Sequence, residues 1–99
     1  MFKNDTILVL NKNVLKRFEP NLEDGTLFLF NVQTEKYWSG NAAVDCLIRM
    51  LDGQNTLQTI YDYLFEIFEN YTKEEICESF DNIIKILLEE GFLVIKNDI

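Results

Sequence analysis

The sequence predicts an α+β fold in which a three-stranded antiparallel sheet is followed by three helices. Three observations carry that prediction. The first forty residues hold short apolar or alternating runs broken by turn residues. From Asn41 onward, apolar residues recur three and four positions apart, the spacing of one helical face. A capping residue, Asn41, Thr56 or Thr72, stands at the head of each periodic segment.

Taken in order, Met1 to Asp5 is expected to be loose. Thr6 to Leu10 (TILVL) is an apolar run that reads equally as a strand or as a packed arm, and residues 1–12 together form an N-terminal arm on the single domain 1–99. Val14 to Glu19 alternates and forms the first strand. Pro20 to Gly25 is a turn, with Asp24-Gly25 its strongest signal. Thr26 to Val32 is the clearest strand, apolar on both faces: Leu27 and Leu29 on one, Phe28, Phe30 and Val32 on the other. One face covers the helices. The other calls for a cover, whether the N-terminal arm, a partner or a second copy, because small monomers seldom leave such a row wet.

Gln33-Thr34-Glu35 turns the chain into a third, aromatic strand, Lys36 to Ser39. Alternation sends at least one of Tyr37 and Trp38 into the core without saying which. Asn41 caps a helix with Val44, Leu47, Ile48 and Leu51 on its inner face, and Asp52-Gly53 is expected to end it. Gln54-Asn55 reads as a connector. Thr56 caps a second helix with Ile60, Leu64, Ile67 and Phe68 in its stripe. Thr72-Lys73-Glu74-Glu75 is a capping box opening a third helix that runs to about Glu90. Ile76, Phe80, Ile83 and Leu87 form its core stripe, and Cys77, Ile84 and Leu88 widen the apolar arc and are free to line a groove or broaden the core. Gly91 ends the helix, and Phe92 to Ile95 closes the chain as a short strand or a packed tail.

Composition excludes several function classes. There is no histidine, so no Ser-His or Cys-His nucleophile pair exists. The two cysteines, Cys46 and Cys77, fall on different helices and lack metal-ligand spacing, so neither a metal nor another cofactor is expected. The four glycines are scattered and cradle no phosphate. No catalytic residue emerges, and the chain is expected not to be an enzyme. A net charge of −8 argues against nucleic acid and anionic membrane as partners. Without a membrane span or a signal peptide, a cytoplasmic protein is the default expectation.

Strands, three helices and a closing apolar segment together resemble a winged-helix architecture, whose third helix commonly reads DNA. Here that helix carries Lys73 and Lys85 against Glu74, Glu75, Glu78, Asp81, Glu89 and Glu90, which phosphates would repel. The order of Val14 to Glu19, Tyr37-Trp38, Asn41, Leu51-Asp52-Gly53, Thr56 with Ile60, and Glu90-Gly91-Phe92-Leu93 resembles the PqqD-like family. These are the recognition elements of ribosomally made, post-translationally modified peptide (RiPP) pathways. Two features depart from the family pattern: Gly40 stands where an apolar residue is usual, and TILVL has no firm counterpart.

The resemblance implies a non-catalytic module. It would bind the leader segment of a precursor peptide by strand addition and present it to a separate modifying enzyme, often a radical-SAM protein. Carried onto this chain, the pairing edge is Thr34 to Ser39, including Lys36, Tyr37 and Trp38, and the helical wall is Cys77, Asp81, Ile84, Lys85 and Leu88. A competing expectation is an interaction or regulatory module that dimerises through the outer face of Thr26 to Val32.

Overall fold

A computed structural model describes residues 2–96 of the chain. The fold is α+β, with two three-stranded antiparallel sheets and three helices. The first sheet joins β2 (Val14–Glu19), β3 (Thr26–Asn31) and β4 (Lys36–Asn41) in the order β2-β3-β4. This is the expected sheet, and α1 (Ala42–Arg49), α2 (Leu57–Ile67) and α3 (Lys73–Glu89) follow it.

The second sheet was not foreseen. It is built on β1 (Ile7–Leu10), which lies between β5 (Asp52–Thr56) and β6 (Leu93–Ile95). The TILVL run is therefore no arm: Leu8 is fully buried at the centre of a sheet. Nor is the start of the chain loose throughout, because the Asn4 and Thr6 carbonyls accept from the Gln58 and Leu57 N–H groups at 3.0 and 2.9 Å. Met1 lies outside the described residues.

Helix α1 ends earlier than Asp52-Gly53 would place it, with Met50 as its C-cap. Gly53 instead takes φ +84° inside β5, where a Cβ would press on Val9 at 3.0 Å. The Asp52 Oδ1 accepts from the Gln54 and Asn55 N–H groups at 2.9 and 3.3 Å, so the supposed connector is a polar strand. Ile67, assigned to the core of α2, is exposed.

One apolar core joins the layers. Leu27 and Leu29 of β3, Val44, Leu47 and Ile48 of α1, Ile60 and Leu64 of α2, and Ile76, Phe80, Ile84 and Leu87 of α3 meet Leu8 and Leu93 of the second sheet and Phe92 just before β6. Asn41, Thr56 and Thr72 each accept from a first-turn amide as N-caps, and Thr72 and Glu75 complete the capping box at 3.1 and 2.9 Å. Helix α3 stops at Gly91, φ +83°, where Phe92 N–H donates to the Leu87 carbonyl (2.8 Å) and Gly91 N–H to that of Leu88 (3.2 Å). These two bonds are the paired closure that a left-handed residue after a helix allows.

Candidate peptide-binding site

Strand β4 pairs with β3 on one side, and no described strand pairs with its other side. The hydrogen-bond phase of the sheet tells which groups are free. Val32 donates its N–H to the Asn13 carbonyl, at the β2 side, at 2.9 Å. Main-chain groups switch sides residue by residue, so Phe30 and Phe28 also bond toward β2, while Asn31, Leu29 and Leu27 bond toward β4. Their register partners Lys36, Trp38 and Gly40 are thereby satisfied inside the sheet. The N–H and C=O groups of Tyr37 and Ser39 point to the open side.

The two aromatic residues divide as alternation requires. Trp38 turns inward and packs against the core, whereas Tyr37 is 78% exposed on the outer face and stacks on Phe30 with ring centroids 4.5 Å apart. Gly40 now has a physical reason. A Cβ there would sit 2.5 Å from the Trp38 ring, so the indole occupies the space that a larger residue would fill.

Helix α3 runs alongside β4 in the opposite direction. At one end, Lys36 Nζ reaches Glu90 Oε2 at 2.6 Å. At the other, Asn41, Ala43 and Val44 share a groove of about 330 Å³ with Phe68, Tyr71, Glu75, Ile76, Ser79, Phe80 and Ile83. Its floor is apolar: Val44, Ile76 and Phe80 are buried. Ile86 and Glu90 continue the Ser79–Ile83 stripe at helical spacing toward Lys36.

The alignment is held by Asn31, which is 1% exposed. Its Nδ2 donates to the Gly91 carbonyl at 2.9 Å, and its Oδ1 accepts from the Gln33 and Thr34 amides at 2.9 and 3.2 Å. One side chain thus ties the β3–β4 turn to the end of α3, and Asn11 donates to the same Gly91 carbonyl at 3.2 Å. Asn31 is not among the site residues expected from the sequence. A lone asparagine closing an apolar strand was the only signal available.

The structure divides the expected site residues. Thr34, Lys36, Tyr37, Trp38 and Ser39 lie on β4 and its turn, with Lys36 ion-paired to Glu90 at the end of α3. The expected helical wall does not face them. Ile84 is 0% exposed and belongs to the core, and Leu88 is half-buried against it. Cys77, Asp81 and Lys85 line a different, larger groove of about 640 Å³ with Phe2, Lys73, Glu74, Glu78 and Asn82. The expected wall is centred nearly opposite Ser79, Ile83, Ile86 and Glu90 on the circumference of α3, and Ile83 and Ile84 exchange the core and groove roles expected of them.

On that second face the chemistry is structural. Asp81 accepts a hydrogen bond from the Tyr61 hydroxyl, and burial, followed by this carboxylate, pushes the Tyr61 phenol well above its ordinary range. Burial also pushes the Cys77 thiol up, with the Asp81 charge adding to it, which keeps the sulfur in its unreactive form. Lys73 is held by Asp62 at 3.0 Å. Among the described residues no group of three or more metal-ligating side chains comes together, and no helix is long and apolar enough to cross a membrane.

No family model, curated protein or solved structure matches this chain.

Proposed function

We propose that this protein binds an extended peptide by strand addition to β4, and that the peptide is the leader segment of a ribosomally made precursor presented to a separate modifying enzyme. The observation that carries the reading is an unpaired strand edge that leads, at Asn41, into an apolar groove. An incoming strand would find the main-chain groups of Tyr37 and Ser39 open for pairing. Its side chains alternate, so every second one would fall toward Val44, Ile76, Phe80 and Ile83. Main-chain bonds supply affinity and the groove supplies selectivity. The protein's role is to hold and orient, with the chemistry left to the enzyme. The sequence resemblance to PqqD-like recognition elements supports the same assignment, with the helical wall moved from Cys77–Leu88 to the Ile76–Ile83 face.

The test uses synthetic leader segments from short open reading frames flanking the gene, titrated by calorimetry. At least one is expected to bind with micromolar or tighter affinity. Ser79→Arg, at an exposed groove position, should weaken that binding at least tenfold at unchanged melting temperature. Lys85→Glu, in the second groove, should leave binding unaltered. If Lys85→Glu weakens binding and Ser79→Arg does not, the groove has been placed on the wrong side of α3.

A further inference from the structure

Among the described residues nothing covers the face of β2-β3-β4 turned away from the helices, and Ile7–Leu10 lies within the second sheet instead. Leu15, Phe30 and Tyr37 form one cross-strand row on it, and Arg17, Phe28 and Ser39 the next. Leu15 is 62% and Phe28 37% exposed, and Val32 extends the patch at the turn. A shallow depression of about 330 Å³ runs between Leu15, Phe28, Phe30 and Tyr37. We propose that this face seats a second copy of the chain, two sheets packing face to face about a two-fold axis.

Charge selects that occupant. Each copy carries −8, so two copies repel unless they meet on a surface free of net charge. The acidic side chains crowd α2, α3 and the turns. The depression on the outer sheet face is bordered by Lys16, Arg17 and Glu19, the last two paired with each other, so it carries no net negative charge. That combination is self-complementary: an arrangement bringing the two β2 strands together lets Arg17 of each copy pair with Glu19 of the other.

Area and shape agree. The exposed apolar side chains present roughly 400–500 Å² per copy, at the upper end of what a monomer leaves uncovered. Doubled and rimmed by polar contacts, this reaches the lower bound of about 1,200 Å² for a specific interface. A twisted sheet with one apolar face is satisfied by a second sheet about 10 Å away, and a second copy supplies one. The open edge of β4 and the α3 groove stay free, so this inference stands independently of peptide binding.

Sedimentation of the whole chain from about 1 to 200 μM reads a micromolar association directly. The mass is expected to rise from 11.7 kDa toward twice that value, and at lower concentration in high salt, where the repulsion is screened. Leu15→Lys should weaken dimerisation at least tenfold with an unchanged circular dichroism spectrum. Tyr37→Ser, at the most exposed of these side chains, should do the same and serves if the first variant misfolds. A single 11.7 kDa species throughout the range, or a dimer that both folded variants leave intact, overturns the proposal.

Discussion

Replacing Ser39 with proline separates the free edge of β4 from its paired edge within one residue's reach. In the ladder phase set by Val32 and Asn13, the Ser39 N–H points away from β3, to the side where no described strand pairs with β4. Proline there removes no bond of the β3–β4 ladder, and edge strands accept it, so stability should change by less than about 1 kcal/mol. A bound leader strand is affected differently. It loses one main-chain bond, a net of about 0.5–1.5 kcal/mol, and one of its carbonyls stays unpaired, at about 1–3 kcal/mol if water is excluded. Together, at about 1.5–4.5 kcal/mol, these predict a Kd weaker by roughly 10- to 1,000-fold. Trp38→Pro is the contrasting case. That N–H bonds to Leu29 inside the sheet and the indole packs on the core, so this variant should lose about 3 kcal/mol or more of stability. Fluorescence anisotropy of a labelled leader peptide, with circular dichroism as the folding control, reads both. Ser39→Pro binding within twofold of the parent protein would refute the strand-addition geometry.

Asn31→Ala removes the link between the β3–β4 turn and α3; with three side-chain bonds lost and Asn11 still serving Gly91, a cost of about 1–3 kcal/mol is expected from urea unfolding, and a change below about 0.5 kcal/mol would contradict the role given to it. Folding keeps the Tyr61 phenol protonated above its ordinary value of 10.0, so the stability it contributes is intact below that pH and is lost as the pH rises beyond it. Tyr61→Phe should therefore flatten the alkaline fall in urea midpoint between about pH 9 and 11, at a cost of about 1 kcal/mol at neutral pH for the lost bond to Asp81. An equally steep alkaline limb in the variant would assign the loss to other groups.

What the sequence made legible was local. Val14 to Glu19, the Asp24-Gly25 turn, the caps at Asn41, Thr56 and Thr72, and the stop at Gly91 are each specified by residues within one turn of one another. The second sheet was not legible, because β1 takes its partners from β5 and β6, far along the chain, and because Asp52–Thr56 has the composition of a loop. Its strand conformation is imposed by pairing with β1, a tertiary effect that propensity does not carry. On α3 the apolar arc was wide enough to permit two phases, and only the packing of Ile84 into the core selects one. Likewise, alternation required one of Tyr37 and Trp38 to face inward, and the choice came from the space beside Gly40.

The open edge of β4 is tested most directly by amide hydrogen exchange with and without a bound leader peptide. In the free protein the Tyr37 and Ser39 amides should exchange quickly while those of Trp38 and Gly40 are protected. On binding, Tyr37 and Ser39 should become protected, together with slowed exchange in the adjoining part of α3. Unchanged exchange at Tyr37 and Ser39, with new protection confined to the Cys77–Lys85 face, would contradict the account.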